Sequence, residues 1–172
     1  MRAVVLADTH LHPGSRRGLP DAALAQLEEA DVVLHAGDVV TRHLLEELGT
    51  YAPTSAVLGN NDHDLVGHLP ETLVLDLAGV RVGMIHDSGP RRGREARLRR
   101  RFPDANLVVF GHSHIPWNAP GLEGQWLLNP GSPTQRRSQP HHTVAIVDLA
   151  EGRIVATDIV VVDPPGTSSE KR

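Results

Sequence analysis

The sequence predicts an α/β fold: a four-layer αββα sandwich built on two mixed β-sheets. Three observations carry that expectation. Short apolar runs alternate with helix-like segments through the first half of the chain, the pattern of parallel strands joined by right-handed crossovers. The second half holds a tight hairpin and further strands, enough for a second sheet packed on the first with helices outside. Five apolar runs stop abruptly at a side chain able to bind a metal, as strands do where they open into a crevice at their C-terminal ends.

Taken in order, Ala3 to Ala7 is a β-branched run with polar residues beginning at Asp8, and it reads as a buried strand. Asp21 is placed to cap a helix running to Glu29, with Ala22, Leu24, Ala25 and Leu27 as its apolar face. Val32 to Ala36 repeats the strand pattern. Thr41 caps a second helix to Leu48, which Gly49 should stop. Ser55 to Leu58 is a third strand. Thr72 to Leu77 and Val80 to Ile85 flank Ala78-Gly79 as a hairpin. Arg91 to Arg101 is expected to be helical, and Leu107 to Phe110 is another buried strand. Trp126 to Leu128, Thr143 to Asp148 and Arg153 to Val162 complete the strands, the last two joined by Glu151-Gly152 and assigned to the second sheet.

Composition bounds the function. A chain of 172 residues with 40% hydrophobic content is large enough to bury one core and reads as one domain. A net charge of −4, with only two Trp, one Tyr and two Phe, argues against a nucleic-acid partner that needs a basic face and stacking platforms. The absence of Cys excludes disulfides and thiolate metal ligands. No apolar run approaches the roughly 20 residues that span a bilayer. A soluble, cytoplasmic protein with no membrane partner is therefore expected, and a homodimer is the default assembly.

The candidate ligands are Asp8, His10, Asp38, Asn60, His86, His112 and His114, all hard oxygen or imidazole nitrogen. Such a set suits Mn, Fe, Zn or Ni, and a bridging carboxylate such as Asp38 allows two ions roughly 3.5–4 Å apart. Asp8 and His10 are two residues apart, so an extended backbone would point both the same way. Each cluster alone has an ordinary explanation: Gly37-Asp38 could be a helix-capping turn, Asn60 a turn amide and His86 a packed histidine. Gly111-His112-Ser113-His114 is the sharpest single signal, because two imidazoles around a small residue have little packing reason to follow a buried strand. Five such clusters at five strand ends are hard to obtain by accident.

The ordered set Asp8-Thr9-His10, Gly37-Asp38, Gly59-Asn60-Asn61-Asp62, His86 and Gly111-His112-Ser113-His114 resembles the calcineurin-like metallophosphoesterase superfamily, and the short chain its small prokaryotic phosphodiesterase branch. Asn129-Pro130-Gly131-Ser132 resembles a further segment of that branch. The resemblance implies a metallophosphoesterase domain over residues 1–162, followed by a flexible tail at 163–172. It implies two divalent ions, manganese first among them, one held by Asp8, His10, Asp38 and His114 and the other by Asp38, Asn60, His86 and His112. A hydroxide bridging the ions would attack phosphorus in line, on a small-molecule phosphate ester and most naturally a diester. Asp38 and Asn60 would act directly in catalysis, and Asp62 would orient the site from behind.

Two positions depart from the wider pattern. Many relatives have a histidine where this chain has Asn61, and that histidine is thought to protonate the leaving oxygen. Losing a positioned acid forfeits on the order of 10²–10⁴ in rate, least for good leaving groups; His63 is the substitute to consider. Asp87-Ser88 stands where relatives often show Gly-His, which touches the pocket and not the ligand. Arg91 to Arg101 is a basic run, read either as a solvated helix face or as a rim attracting anionic substrate. Of Arg136 and Arg137, one is expected to clamp a phosphate and the other to be solvated. The alternatives to hydrolysis of a small phosphate ester are a metal-binding scaffold of the same fold, with its surface turned to protein partners, and a nuclease.

Overall fold

A computed structural model describes residues 1–163 except Pro13, Arg16 and Arg17. The strands are β1 (Arg2–Leu6), β2 (Val32–His35), β3 (Thr54–Ala56), β4 (Thr72–Leu77), β5 (Val80–Ile85), β6 (Leu107–Val109), β7 (Trp117–Pro120), β8 (Trp126–Asn129), β9 (Thr143–Ala150) and β10 (Arg153–Val161). The helices are α1 (Asp21–Leu27), α2 (Arg42–Tyr51) and α3 (Arg94–Arg101), with a single 3-10 turn at His63–Leu65. Two five-stranded mixed sheets form, in the orders β10-β9-β1-β2-β3 and β4-β5-β6-β8-β7.

Register fixes which side chains meet. Val5 lies opposite Leu34 on one side and Ala145 on the other, so these three share one face of the first sheet. Met84 pairs with Val109, and Val109 with Leu128, on the facing side of the second. Together they form a dry layer between the sheets. The alternate residues Val4, Leu6 and Val33 pack outward on Ala23 and Leu27 of α1 and Leu44 and Leu48 of α2. Val108, Phe110 and Leu127 pack on Leu98 of α3 and on Phe102, the residue that follows it. The period of two in each strand and the apolar stripe on each helix therefore build the expected αββα layers.

Several details differ from the sequence expectation. β9 and β10 belong to the first sheet, with β9 antiparallel to β1, and not to the second. The pairing is long-range, and the amino terminus itself donates to Leu149 O at 2.9 Å; local pattern carries no information about it. β7 went unread because Pro116, Asn118 and Pro120 weaken its signal, and as an edge strand it tolerates proline. Pro20, not Asp21, occupies the cap position of α1, and Asp21 sits in the first turn where its charge suits the helix dipole. Thr41 caps α2 as expected, accepting from Leu44 N, but the helix passes through Gly49 to Tyr51 and ends ahead of Pro53. Gly93, at φ 73°, delays α3 until Arg94.

Asp163, where the sequence reading starts the tail, accepts from the backbone N of His142 at 2.7 Å and bonds the His141 ring at 2.7 Å. The remainder of that expected tail, 164–172, lies outside the described residues. Among the described residues, no helix is long and apolar enough to cross a membrane.

Candidate metal centre

The ends of β1, β2 and β3 from one sheet and of β5 and β6 from the other open onto the same edge of the sandwich, and each delivers candidate ligands there. Asp8, His10 and His114 present ligand atoms within 4.8 Å of one another, as do Asp8, Asp38 and His86. Asp38 Oδ2 lies 3.4 Å from both His10 Nε2 and His86 Nε2, between the two groups. Asn60 Oδ1 lies 3.0 Å from His86 Nε2 and 2.9 Å from His112 Nδ1, which places the last two candidates on the same side as His86. All seven residues therefore meet. Asp8 approaches both histidine groups, at 3.5 Å from His114 Nε2 and 4.0 Å from His86 Nε2, and Asp38 is not alone in the middle.

The backbone that achieves this is strained. Ten non-glycine residues among those described have positive φ, and five of them are Asp8, His10, Asp38, His112 and His114, at 46° to 68°. Each costs on the order of 1–3 kcal/mol, which only surrounding structure can hold. Asp8 and His10 are accordingly not extended, and they converge by left-handed turns instead of by strand alternation. Gly37, at φ 88°, is required twice over, because a Cβ there would also lie 2.6 Å from His86 Nδ1.

Asp62 supplies much of the restraint. Its buried carboxylate accepts from the backbone N–H groups of Gly59 at 2.7 Å, Asp38 at 3.0 Å and Val40 at 2.6 Å. It thus ties the loop after β3 to the loop after β2 and acts on the backbone, not on a ligand atom. Asn61 donates to both oxygens of Asp38, from its backbone to Oδ1 and from its side chain to Oδ2, each at 2.8 Å. The sequence reading missed this use of Asn61. It also missed a buried chain behind the site, in which His35 Nε2 lies 3.1 Å from Thr9 Oγ1 and Thr9 Oγ1 donates to Asp38 O at 3.2 Å.

Hydrogen bonds also fix the histidines. His86 directs Nδ1 to Ala36 O at 2.7 Å, and His114 directs Nδ1 to Gln135 O. With Nδ1 so engaged, both Nε2 atoms face the centre, the arrangement metal-binding imidazoles adopt. His10 Nε2 and His114 Nε2 lie 3.3 Å apart with the rings stacked, two imidazole nitrogens converging on one point. Asp8 accepts from His112 N at 3.1 Å through Oδ1, while its Oδ2 is buried with no hydrogen-bond partner among the described residues. A carboxylate with unspent acceptor capacity amid inward-facing imidazoles fits divalent cations, and the all-oxygen-and-nitrogen donor set fits borderline ones.

The electrostatics of the metal-free protein carry the same message. Burial pushes the Asp8 carboxyl up to about 7 and the His114 imidazole down to about 4. Burial would also raise Asp38, but hydrogen bonds from His86 and Asn61 and the charge of His86 hold it below the usual carboxylate range. His86 is in turn raised: burial opposes its charge, and Asp38 and Asp8 outweigh that opposition.

A groove of ≈ 280 Å³ leaves the site at Asn60 and His86 and runs past Ile85, Asp87, Thr72 and Arg101. A second hollow of ≈ 290 Å³ shares Ile85, Asp87 and Arg101 and continues toward Arg97. The arginine run is therefore neither a solvated face nor a rim throughout. Arg94 is buried 4.9 Å from the Phe110 ring centroid, Arg97 donates to Ser88 O at 3.2 Å, and Arg99 pairs with Glu123 at 2.8 Å. Only Arg101 of this run faces the groove beside the ligands. His63 is exposed on its 3-10 turn, and His12 lines a different pocket with Thr41 and His43.

Comparison with known proteins gives the family. A probable metallophosphoesterase of Methanothermobacter thermautotrophicus is 35% identical over 147 residues, covering 84% of each protein. Vps29 complexed with Zn²⁺ from Entamoeba histolytica shares the fold with a TM-score of 0.73, at 22% identity, over 95% of this chain and 99% of that one. An archaeal phosphodiesterase shares it with a TM-score of 0.68, at 17% identity, over 93% of this chain and all of that one. The family model described as calcineurin-like phosphoesterase superfamily domain matches residues 1–152. With its ligand-bearing strand ends and two facing mixed sheets, the chain belongs to the calcineurin-like phosphoesterase superfamily.

Proposed function

We propose that the protein is a metal-dependent phosphoric ester hydrolase acting on phosphodiesters, of the small prokaryotic phosphodiesterase type. The observation that carries this reading is the convergence of two carboxylates and three Nε2 atoms on one strained, buried centre, in a chain whose 35%-identical relative is named a probable metallophosphoesterase. Asp8, His10, Asp38 and His114 would hold one divalent ion and Asp38, Asn60, His86 and His112 the other, with manganese the working choice and Fe, Zn or Ni admitted by the same donors. When bound, such ions supply Lewis acidity and lower the pKa of water toward neutrality.

The chain's own groups do the rest. Asp62 and Asn61 hold Asp38 in position, the first through the backbone and the second through the carboxylate. The Asn60 amide is open to solvent and can offer an N–H to a phosphoryl oxygen while its carbonyl oxygen faces His86 and His112. The groove past Ile85 and Thr72 gives the organic arm of an ester a place to lie.

A second reading has its own observation. Neither Asn61 nor His63 is placed as a proton donor: the Asn61 amide is committed to Asp38, and His63 is exposed on a separate turn. A metal-binding scaffold for protein partners would need no such donor, and the fold is also that of Vps29. Metal content by elemental analysis, together with turnover of bis-aryl and alkyl phosphodiesters under saturating Mn²⁺, separates the two. Two ions per chain with aryl-diester turnover is the expected result. Two ions with no turnover on any ester would contradict the hydrolase and leave the scaffold.

A further inference from the structure

The loop after β8 is sewn to the first ligand loop more tightly than a connection needs. Ser132 Oγ donates to Asp8 O at 2.8 Å, Thr134 Oγ1 donates to Thr9 O at 2.5 Å, and His114 donates through Nδ1 to Gln135 O. Within the loop, Gln135 N donates back to Ser132 Oγ at 2.9 Å. Upstream, Asn129 Nδ2 donates to Gly111 O at 2.9 Å and Asn129 Oδ1 accepts from Gly131 N at 2.9 Å, so the loop is braced against both ligand-bearing turns. A loop held at Asp8, Thr9 and His114 carries whatever follows Gln135 to the edge of the centre.

Two arginines follow, and the structure treats them differently. Arg136 turns to its own loop and donates to Gln139 O at 2.6 Å. Arg137 adopts φ 50°, is exposed, and makes no ion pair or side-chain hydrogen bond among the described residues. It stands two residues after Gln135, whose carbonyl accepts from His114, and five after Ser132, whose hydroxyl donates to Asp8 O. A cation beside a group of metal-binding imidazoles gains nothing from the metal ions it would repel. It gains from an anion that sits on them.

We infer that Arg137 binds a non-bridging phosphoryl oxygen of the substrate, approaching from the Asp8, His10 and His114 side while the ester arm leaves along the groove at Asn60 and His86. This rests on the hydrolase reading above and deepens it by assigning the two ends of the substrate. The braced loop sets the Arg137 backbone beside the centre, and a guanidinium's planar fork suits a phosphoryl group better than an ammonium point charge does. Arg137 is thus a substrate-binding residue and Arg136 is not.

The test is isothermal titration of inorganic phosphate into manganese-loaded protein, for the wild type, Arg137→Gln, Arg137→Lys and Arg136→Gln, with manganese content measured on each. The expected result is a rise in Kd of about 10- to 100-fold for Arg137→Gln, the size of a lost charge-assisted hydrogen bond. A smaller rise is expected for Arg137→Lys, and none for Arg136→Gln, at unchanged manganese content. Wild-type affinity in Arg137→Gln, with metal intact, would overturn this inference and leave the hydrolase standing. If metal-loaded wild type bound no phosphate, the hydrolase reading would fall and take the inference with it. Loss of manganese in Arg137→Gln would show a structural role for the loop and also overturn the inference.

Discussion

The two sides of the centre are built differently. On one, Asp8 and His114 are almost wholly buried, and the loop after β8 is bonded to their backbone and side chains. On the other, Asn60 and His112 are exposed, Asn60 and His86 line a groove, and His86 and Asp38 are buried. Both sides offer oxygen and imidazole nitrogen. The difference is restraint: the closed side is held rigidly enough to bind a metal ion, and the open side leaves room for a second molecule. Between them stands Asp38, whose position depends on Asp62 and Asn61.

Breaking the restraint should cost most. Asp62→Ala would leave three backbone N–H groups without their acceptor, and unsatisfied buried groups cost about 1–3 kcal/mol each. We expect a loss of about 3–5 kcal/mol in urea unfolding, with metal affinity falling as the Asp38 loop relaxes. A loss under about 1 kcal/mol would mean that the two loops hold their left-handed turns without it.

The closed side should also show its cost in pH. Burial raises Asp8 to about 7 in the metal-free protein, from 3.8 for the free group. Between those values the unfolded chain ionises while the folded protein keeps its proton, so folding is penalised increasingly as pH rises from about 4 to about 7. In chelator-treated protein, Asp8→Asn should therefore gain on the wild type over that range, by on the order of 2–4 kcal/mol at pH 8. The same substitution should weaken metal binding, and metal uptake by the wild type below pH 7 should release a proton. An equal stability difference at pH 4 and pH 8 would refute the assignment. Asp38, held low by its hydrogen bonds, works in the opposite sense and leaves stability on ionisation, which is why the comparison is with Asp8→Asn and not the bare pH profile.

The contrast sharpens with the paired histidines. His114→Ala removes a buried candidate ligand on the closed side, and His112→Ala an exposed one on the open side. The first should reduce manganese affinity at least 10-fold more than the second, read by titration of metal against each variant. Similar losses would erase the distinction between the two sides.

The smallest effect belongs to Asn61. Asn61→His supplies an imidazole as a candidate proton donor, and alkyl-diester turnover should rise several-fold while aryl-diester turnover falls, because the side-chain hydrogen bond to Asp38 is lost while the backbone one remains. No rise on alkyl esters would show that a missing acid is not what limits them.

Much of this was legible in the sequence. Asp8, Asp38, Asn60, His86 and His112 each follow a short apolar run, and that change from apolar to polar is local. So were the layers, through strand alternation. The sheet to which β9 and β10 belong was not legible, because it is decided by pairing with β1 more than a hundred residues away. The left-handed turns at Asp8 and His10 were hidden as well, since no glycine marks them. Asp62 read as a carboxylate near the site, but only the folded loops show that it serves three backbone donors. The choice between Arg136 and Arg137 had one readable precursor, the Asn129 to Ser132 segment that anchors their loop.

Manganese stoichiometry of wild type and Asp38→Ala, measured on the same preparations that are assayed on a bis-aryl phosphodiester, tests the central claim most directly. Two ions per chain in the wild type are expected, with the variant losing at least one and its turnover falling by 10³-fold or more, the order expected when a metal-held transition state loses its ligand framework. Two ions and unimpaired turnover in Asp38→Ala would contradict a centre organised around that carboxylate.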